Sequence, residues 1–355
     1  MKKKLPAIII AGATLLLALY LVLRQKERVA VVPRVDAVVP LEAVKKVDVS
    51  PISVEYLRGL DIQSEQPVIE ETLPAGTNYQ SYIASFVSEG NKIYGLLTVP
   101  SADMPEGGYP AIVFNHGYIP PTQYVTTSGY VAYVNYLAKN GFVVFKIDYR
   151  GNGNSQGDPS GSYFSSAYTI DAISALKSLQ KYDKVNPQRI GLWGHSMAGN
   201  LVLRALLVSK EIKVGVIWAG AVYSYEDFVK YRINDSSYVH RPFQSKEGLA
   251  QQDREVSPEI QKIRSDPDGI DFKDAFWRSI SLTQNITYLS APIQIHHATN
   301  DEVVDIGYSR DLVQVLKDNS KTYEFYEYEG GGHNIQSPYF ESAMERTVQF
   351  FKDYL

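Results

Sequence analysis

The chain has 355 residues, 45% of them apolar and 21% charged, with 35 Lys and Arg against 39 Asp and Glu for a net charge of −4. That balance suits a packed globular protein and excludes a disordered tail, a collagen-like repeat and a polytopic membrane protein. Residues 1–50 carry a net +5 and residues 51–355 a net −9. An acidic body repels phosphate backbones, so nucleic acid is not an expected partner. Cysteine is absent, which excludes disulfides, thiolate metal sites and a cysteine nucleophile.

Lys2, Lys3 and Lys4 precede 19 uncharged residues, 5–23. As a helix this run is about 28 Å long, close to the thickness of a bilayer core. It is longer than the apolar core of a cleaved signal and no A-x-A site follows it, so residues 1–30 read as an uncleaved signal anchor. Arg24, Lys26 and Arg28 flank its far side. The expected arrangement puts the N-terminus inside and the body outside the membrane, making the protein membrane-anchored with an extracytoplasmic catalytic domain. Residues 31–50 are rich in Val and charge and contain no aromatic residue, as in a stalk.

The body, 51–355, opens with strand-like spacing. Residues 79–88 and 92–99 read as antiparallel strands around the turn Glu89-Gly90-Asn91. Short apolar strands follow at 111–116, 141–149, 189–194, 214–220, 293–298 and 322–329. Helical patterns lie between most of them: Ile170, Ile173, Leu176 and Leu179 make one face, and Phe340, Met344, Val348, Phe351 and Leu355 another. Strands alternating with helices predict an α/β fold with a mostly parallel sheet covered on both faces. Residues 221–290 are too long for a simple crossover and carry ten aromatic residues, among them Tyr223, Tyr225, Phe228, Phe276 and Trp277. They read as an inserted helical cap over the sheet edge.

One stretch carries chemistry. The apolar strand at 189–194 runs into Gly194-His195-Ser196-Met197-Ala198-Gly199, and an apolar helical run follows. A serine on a tight strand-to-helix turn projects its hydroxyl at the end of the sheet, and small neighbours let the backbone turn. The stretch departs from G-x-S-x-G at Ala198, with Gly199 next. Asp301 lies just after the strand at 293–298, and Gly330-Gly331-Gly332-His333 just after the last strand. The order Ser196, Asp301, His333, with separations of 105 and 32 residues, is that of a Ser-Asp-His triad. Asn115-His116-Gly117-Tyr118 ends an earlier strand, so the amides of Tyr118 and Met197 are the expected oxyanion-hole donors, the Tyr118 phenol being an alternative. His195 reads as a packing residue that shapes the turn. Asp148 and Arg150, in a glycine-rich loop without the Lys-Ser/Thr of a phosphate loop, are expected to pair and brace it. No H-E-x-x-H occurs, and the adjacent His296 and His297 face opposite sides of a strand, so no metal is expected.

On these residues the chain resembles the α/β-hydrolase superfamily, and most of all the catalytic module of the prolyl oligopeptidase family and its esterase relatives. The carrying residues are His116-Gly117-Tyr118, 148–157, 194–199, Asp301 and His333, and the likeness spans about residues 50–355. The resemblance implies a sheet of about eight strands, an acyl-serine intermediate and no cofactor. It does not separate peptidase from esterase. The 28 residues between stalk and strand pair, 51–78, are too few for the β-propeller of the large peptidases. Glu226-Asp227 could imitate the paired acids that hold a peptide amino terminus. The expected substrates are therefore short peptides or, alternatively, small or aromatic carboxylic esters. A reading of another class is a catalytically inactive, membrane-tethered binding module.

Overall fold

The computed structural model describes residues 50–159, 163–231, 262–263, 266 and 269–355. The anchor and stalk segments, 1–49, lie outside the described residues, as do Tyr238, Phe243 and the middle of the insertion. Among the described residues no helix is long and apolar enough to cross a membrane.

Nine strands form one sheet, one more than the expected eight: β1 Val68–Leu73, β2 Tyr79–Ser88, β3 Asn91–Pro100, β4 Tyr109–Asn115, β5 Val143–Ile147, β6 Val185–His195, β7 Gly215–Trp218, β8 Ile293–Ala298 and β9 Tyr323–Tyr328. The additional strand is β1, an edge strand whose residues are almost all exposed. Exposure removes the apolar alternation that marks a half-buried strand. The β2–β3 hairpin turns on Glu89 and Gly90, at φ 46° and 79°, the doubly left-handed turn that suits a two-residue connection. Asn91 belongs to β3 rather than to the turn.

The strand order is β1-β2-β3-β5-β4-β6-β7-β8-β9. The first three strands and β5 pair antiparallel, and β5-β4-β6-β7-β8-β9 pair parallel. From β4 the chain steps to β5 on one side, then crosses to β6 on the other. Connections that leave a strand in opposite directions open a crevice at its carboxyl end, between the ends of β4 and β6.

Helices cover both faces. On one lie α1 Val54–Arg58, α3 Ala167–Gln180, α4 Met197–Val208 and α7 Gly307–Asp318; on the other, α2 Val131–Lys139 and α8 Phe340–Tyr354. The predicted stripe on α8 is buried at Met344, Val348 and Phe351. On α3 burial extends well beyond the predicted face, because the helix lies between the sheet and α4. The described flanks of the insertion include short helices α5 Asp227–Lys230 and α6 Ala275–Ile280. Its Trp277 and Tyr225 form a small core with Ile52, Ile263 and Ile280. The helix that carries Trp277 lies against α1.

One buried ion pair closes the loop after β5. Asp171 on α3 takes two hydrogen bonds from Arg150 Nε, both at 3.1 Å, and one from Nη2 at 2.7 Å, with further bonds from the Arg150 amide and Ser88 Oγ. Removing one partner of such a pair leaves an uncompensated buried charge. Asp171→Ala is expected to lower stability by about 3–5 kcal/mol, read as a lower urea midpoint at unchanged m-value.

Candidate active site

The end of β6 and the start of α4 leave Ser196 alone at the corner, with φ 56° and ψ −123°. A non-glycine residue there is strained by about 1–3 kcal/mol, so its surroundings must hold it. The Ser196 amide donates to the Trp218 carbonyl at 2.9 Å, and its own carbonyl accepts from the Gly199 amide at 2.8 Å. A Cβ on Gly194 would lie 2.7 Å from the Ala198 carbonyl oxygen, and one on Gly199 2.5 Å from Gly220 Cα. Backbone atoms stand in both places, so both positions need glycine. Ala198 is fully buried; the close approach behind the serine is made one residue later, at Gly199.

Asp301, at the end of β8, is fully buried and accepts from the amides of Val303 and Val304 at 2.8 and 2.9 Å. Its other oxygen lies 2.7 Å from His333 Nδ1 and 3.3 Å from His297 Nε2. Burial raises the Asp301 carboxyl, but the bonds from His297, His333 and the Val304 amide outweigh it and hold the group well below the ordinary carboxylate range. His333 sits on a single 3-10 turn, Gly332–Asn334, entered through Gly331 at φ 94°. Asn300 Oδ1 accepts from the Gly332 amide at 3.0 Å, and Tyr133 Oη donates to the Asn334 carbonyl at 2.7 Å. No hydrogen bond joins His333 Nε2 to Ser196 Oγ among the described residues.

The loop after β4 lies against the serine. A Cβ on Gly117 would meet Ser196 Cβ at 3.1 Å and Tyr130 Oη at 2.7 Å. Tyr118 is half-buried against the core. Met197 follows Ser196 in the chain, and Tyr118 follows Gly117, the residue that approaches Ser196; the amides of Tyr118 and Met197 make no hydrogen bond among the described residues. His116 stacks on Tyr124, with centroids 4.5 Å apart, and its carbonyl accepts from Tyr149 Oη at 3.0 Å. A cavity of about 530 Å³ opens nearby, walled in part by Tyr130, Tyr133, Asn334, Phe340 and Glu341. Ser196 and His333 are not among its walls.

Two expectations need correction. Asp148 and Arg150 do not pair. Asp148 accepts from Tyr124 Oη at 2.9 Å and Thr126 Oγ1 at 2.5 Å, while Arg150 turns to Asp171 and Glu89. The two side chains diverge because the chain leaves β5 through Tyr149 at φ 57°. Nor is His195 merely packing: both ring nitrogens are hydrogen-bonded, Nδ1 to Tyr130 Oη at 2.7 Å and Nε2 to the His333 carbonyl at 2.9 Å. The sequence does not show the partners of Tyr130, Tyr133, Tyr149 and His297. The only signal was the count of 26 tyrosines, which names no position. His296 and His297 do face opposite ways, His296 towards Tyr328 and Gln294 and His297 towards Ser309 and Val304.

Burial has a consequence for pH. It drives His195 down to about 3, helped by the charge of His333, and His116 down to about 3. Unfolded imidazoles take protons near 6.5, so between 6.5 and 3 the unfolded chain binds more protons and stability falls as pH drops. Asp301, held low, adds loss at the acid end of that range. Asp148, raised by burial to about 6, acts oppositely: its folded carboxyl takes a proton before the unfolded one does, so it adds stability as pH falls towards 4. Asp148→Asn should therefore make the loss of urea midpoint between pH 6 and 4 steeper than in the unaltered protein.

Known proteins resemble this chain. Residues 110–265 match the family described as serine aminopeptidase, S33, and residues 277–355 the dienelactone hydrolase family. An uncharacterized peptidase, YtmA of Bacillus subtilis, is 24% identical over 276 residues, which are 77% of this chain and 93% of the relative. The acetyl xylan esterase of Paenibacillus sp. R4 superposes with a TM-score of 0.60 at 19% identity, over 85% of this chain and 92% of its own. A puromycin-hydrolyzing peptidase of Mycobacterium tuberculosis gives 0.61 at 21% identity, over 80% of this chain and 40% of its own. With a switch-point serine turn on this sheet, the chain has the α/β-hydrolase fold and is similar to serine peptidases and esterases that share it.

Proposed function

We propose that the protein cleaves small carboxylic esters or short peptides through an acyl-enzyme on Ser196, with His333 as general base and Asp301 as its orienting partner. The observation that carries this reading is the 2.7 Å bond from His333 Nδ1 to the buried, ionised Asp301, beside a serine held in a strained turn. Asp301 keeps the His333 proton on Nδ1, leaving Nε2 to take the Ser196 proton as Oγ attacks the acyl carbonyl. The amides of Tyr118 and Met197 stabilise the oxyanion. Such a donor is worth about 3 kcal/mol of transition-state stabilisation. His333 then passes its proton to the departing alcohol or amine, and water repeats the sequence on the acyl-enzyme.

The ester branch is supported by the state of Glu226 and Asp227. Asp227 is buried and accepts from the Ser224 amide at 2.9 Å, and Glu226 faces Lys230 at 3.9 Å. With Asp227 buried and Glu226 exposed, the two do not form a pair of carboxylates facing one substrate amine. We also infer that residues 1–30 anchor the protein with its catalytic domain outside the cytoplasm. Protease accessibility of the body in intact cells tests that topology, and protection of the body overturns it.

Ser196→Ala should abolish turnover of p-nitrophenyl esters and of aminoacyl p-nitroanilides and should block fluorophosphonate labelling. Labelling that persists in the variant would sink the assignment, and failure of the unaltered protein to label would favour an inactive binding module. Asp301→Asn should lower kcat by about 10⁴ with the fold intact, because the imidazole tautomer is no longer set. Anilide turnover that Ser196→Ala removes would make the enzyme a peptidase. Turnover of esters alone would make it an esterase.

A further inference from the structure

Between the oxyanion loop and the base loop runs a line of hydrogen bonds that the proposed chemistry does not use. The Gly117 amide donates to Tyr130 Oη at 2.9 Å. Tyr130 Oη lies 2.7 Å from His195 Nδ1, and His195 Nε2 lies 2.9 Å from the His333 carbonyl. A carbonyl oxygen only accepts, so Nε2 carries the proton. In a neutral ring Nδ1 must then accept, and the phenol supplies that hydrogen while its oxygen receives the Gly117 amide. The polarity is thereby assigned throughout: Gly117 N–H to Tyr130, Tyr130 O–H to His195, His195 N–H to His333.

A second observation points to the same residue. Tyr130 has φ 55° and ψ 17°, a left-handed backbone that is a genuine outlier for a bulky side chain. It stands immediately before α2, whose Tyr133 holds the carbonyl of Asn334. One helix terminus thus touches the loop after β4, the residue before the nucleophile and the loop after β9, although β6, β7 and β8 lie between β4 and β9 in the sheet.

We propose that Tyr130 and His195 form a positioning relay that fixes the oxyanion loop and the His333 loop relative to each other by setting the His195 tautomer. The proposal rests on the triad reading above. Tyr130 acts through the backbone it holds; the His195 ring also packs on the His333 ring, with centroids 4.5 Å apart, while its hydrogen bond goes to the His333 backbone. Without the phenol, His195 is free to move its proton to Nδ1. The Nε2 lone pair would then face the His333 carbonyl lone pairs and push the base loop away. Displacements of about 1 Å at a reacting group cost up to about a hundredfold in rate.

The test uses the full-length protein and p-nitrophenyl acetate. Tyr130→Phe keeps the ring that packs on Phe114 and Trp193 and removes only the hydroxyl. It should lower kcat about 10- to 100-fold with KM changed by less than about threefold, and should shift or broaden the low-field proton resonance of the His333–Asp301 bond. His195→Gln keeps an N–H near the Nε2 position and should retain more kcat than His195→Phe, which keeps neither bond. A Tyr130→Phe protein with kcat within about twofold of the unaltered chain would overturn the relay. Should that variant fail to fold, equal kcat in His195→Gln and His195→Phe would overturn it instead. Ser196→Ala separates the two readings: activity surviving there removes the triad on which the relay depends, whereas activity lost there and kept in Tyr130→Phe removes the relay alone.

Discussion

The turn at Ser196 is the constraint from which the site follows. A serine at φ 56° is an unfavourable backbone state. It persists because Trp218 on β7 and Gly199 on α4 bond its two sides and because Gly199 meets Gly220 at backbone distance. Those contacts require β6 and β7 to be paired and α4 to lie tight on the sheet. The strain is sustained by the parallel core, and in return the hydroxyl stands at the crevice where β4 and β6 diverge. The first free amide of α4 arrives beside it as a consequence of the same corner.

Around that corner the molecule uses buried tyrosines and neutral histidines where a simpler design would use apolar packing. A buried imidazole without charge offers one donor and one acceptor, and its direction is set by what surrounds it. His195 is neutral because burial and the nearby His333 disfavour its proton. It therefore joins two loops without placing a positive charge beside His333. Tyr149 and Tyr130 do for the loop after β4 what Asn300 and Tyr133 do for the loop after β9: each ties backbone that would otherwise be free to drift. Asp148 and Lys146 share the buried region behind His116, Lys146 donating to the carbonyls of Ser128 and Gly129.

The relatives that share the scaffold include peptidases and acetyl xylan esterases. A common sheet and serine turn are compatible with either leaving group, since the acyl-enzyme step is the same for an alcohol and an amine. What distinguishes such enzymes is the wall around the crevice. The described part of the insertion gathers Trp277 and Tyr225 into a small core with Ile52, Ile263 and Ile280. The aromatic character of 221–290 therefore includes a local core.

The amino-acid sequence by itself determined the strand and helix series, the order Ser196–Asp301–His333 and the loop carrying Tyr118. These depend on short-range patterns: apolar periodicity, glycines where the chain turns, and residue types at the ends of strands. The exposed β1 escaped because an edge strand needs no apolar face. Tertiary structure alone decided the partners. Arg150 chose Asp171 over Asp148, His297 came to support Asp301, and Tyr130 met His195 across 65 residues of chain. Periodicity gives a side chain its face. The identity of the group it meets there depends on how sheet and helices pack, and polar side chains in a buried region take whichever partner that packing brings within hydrogen-bonding distance.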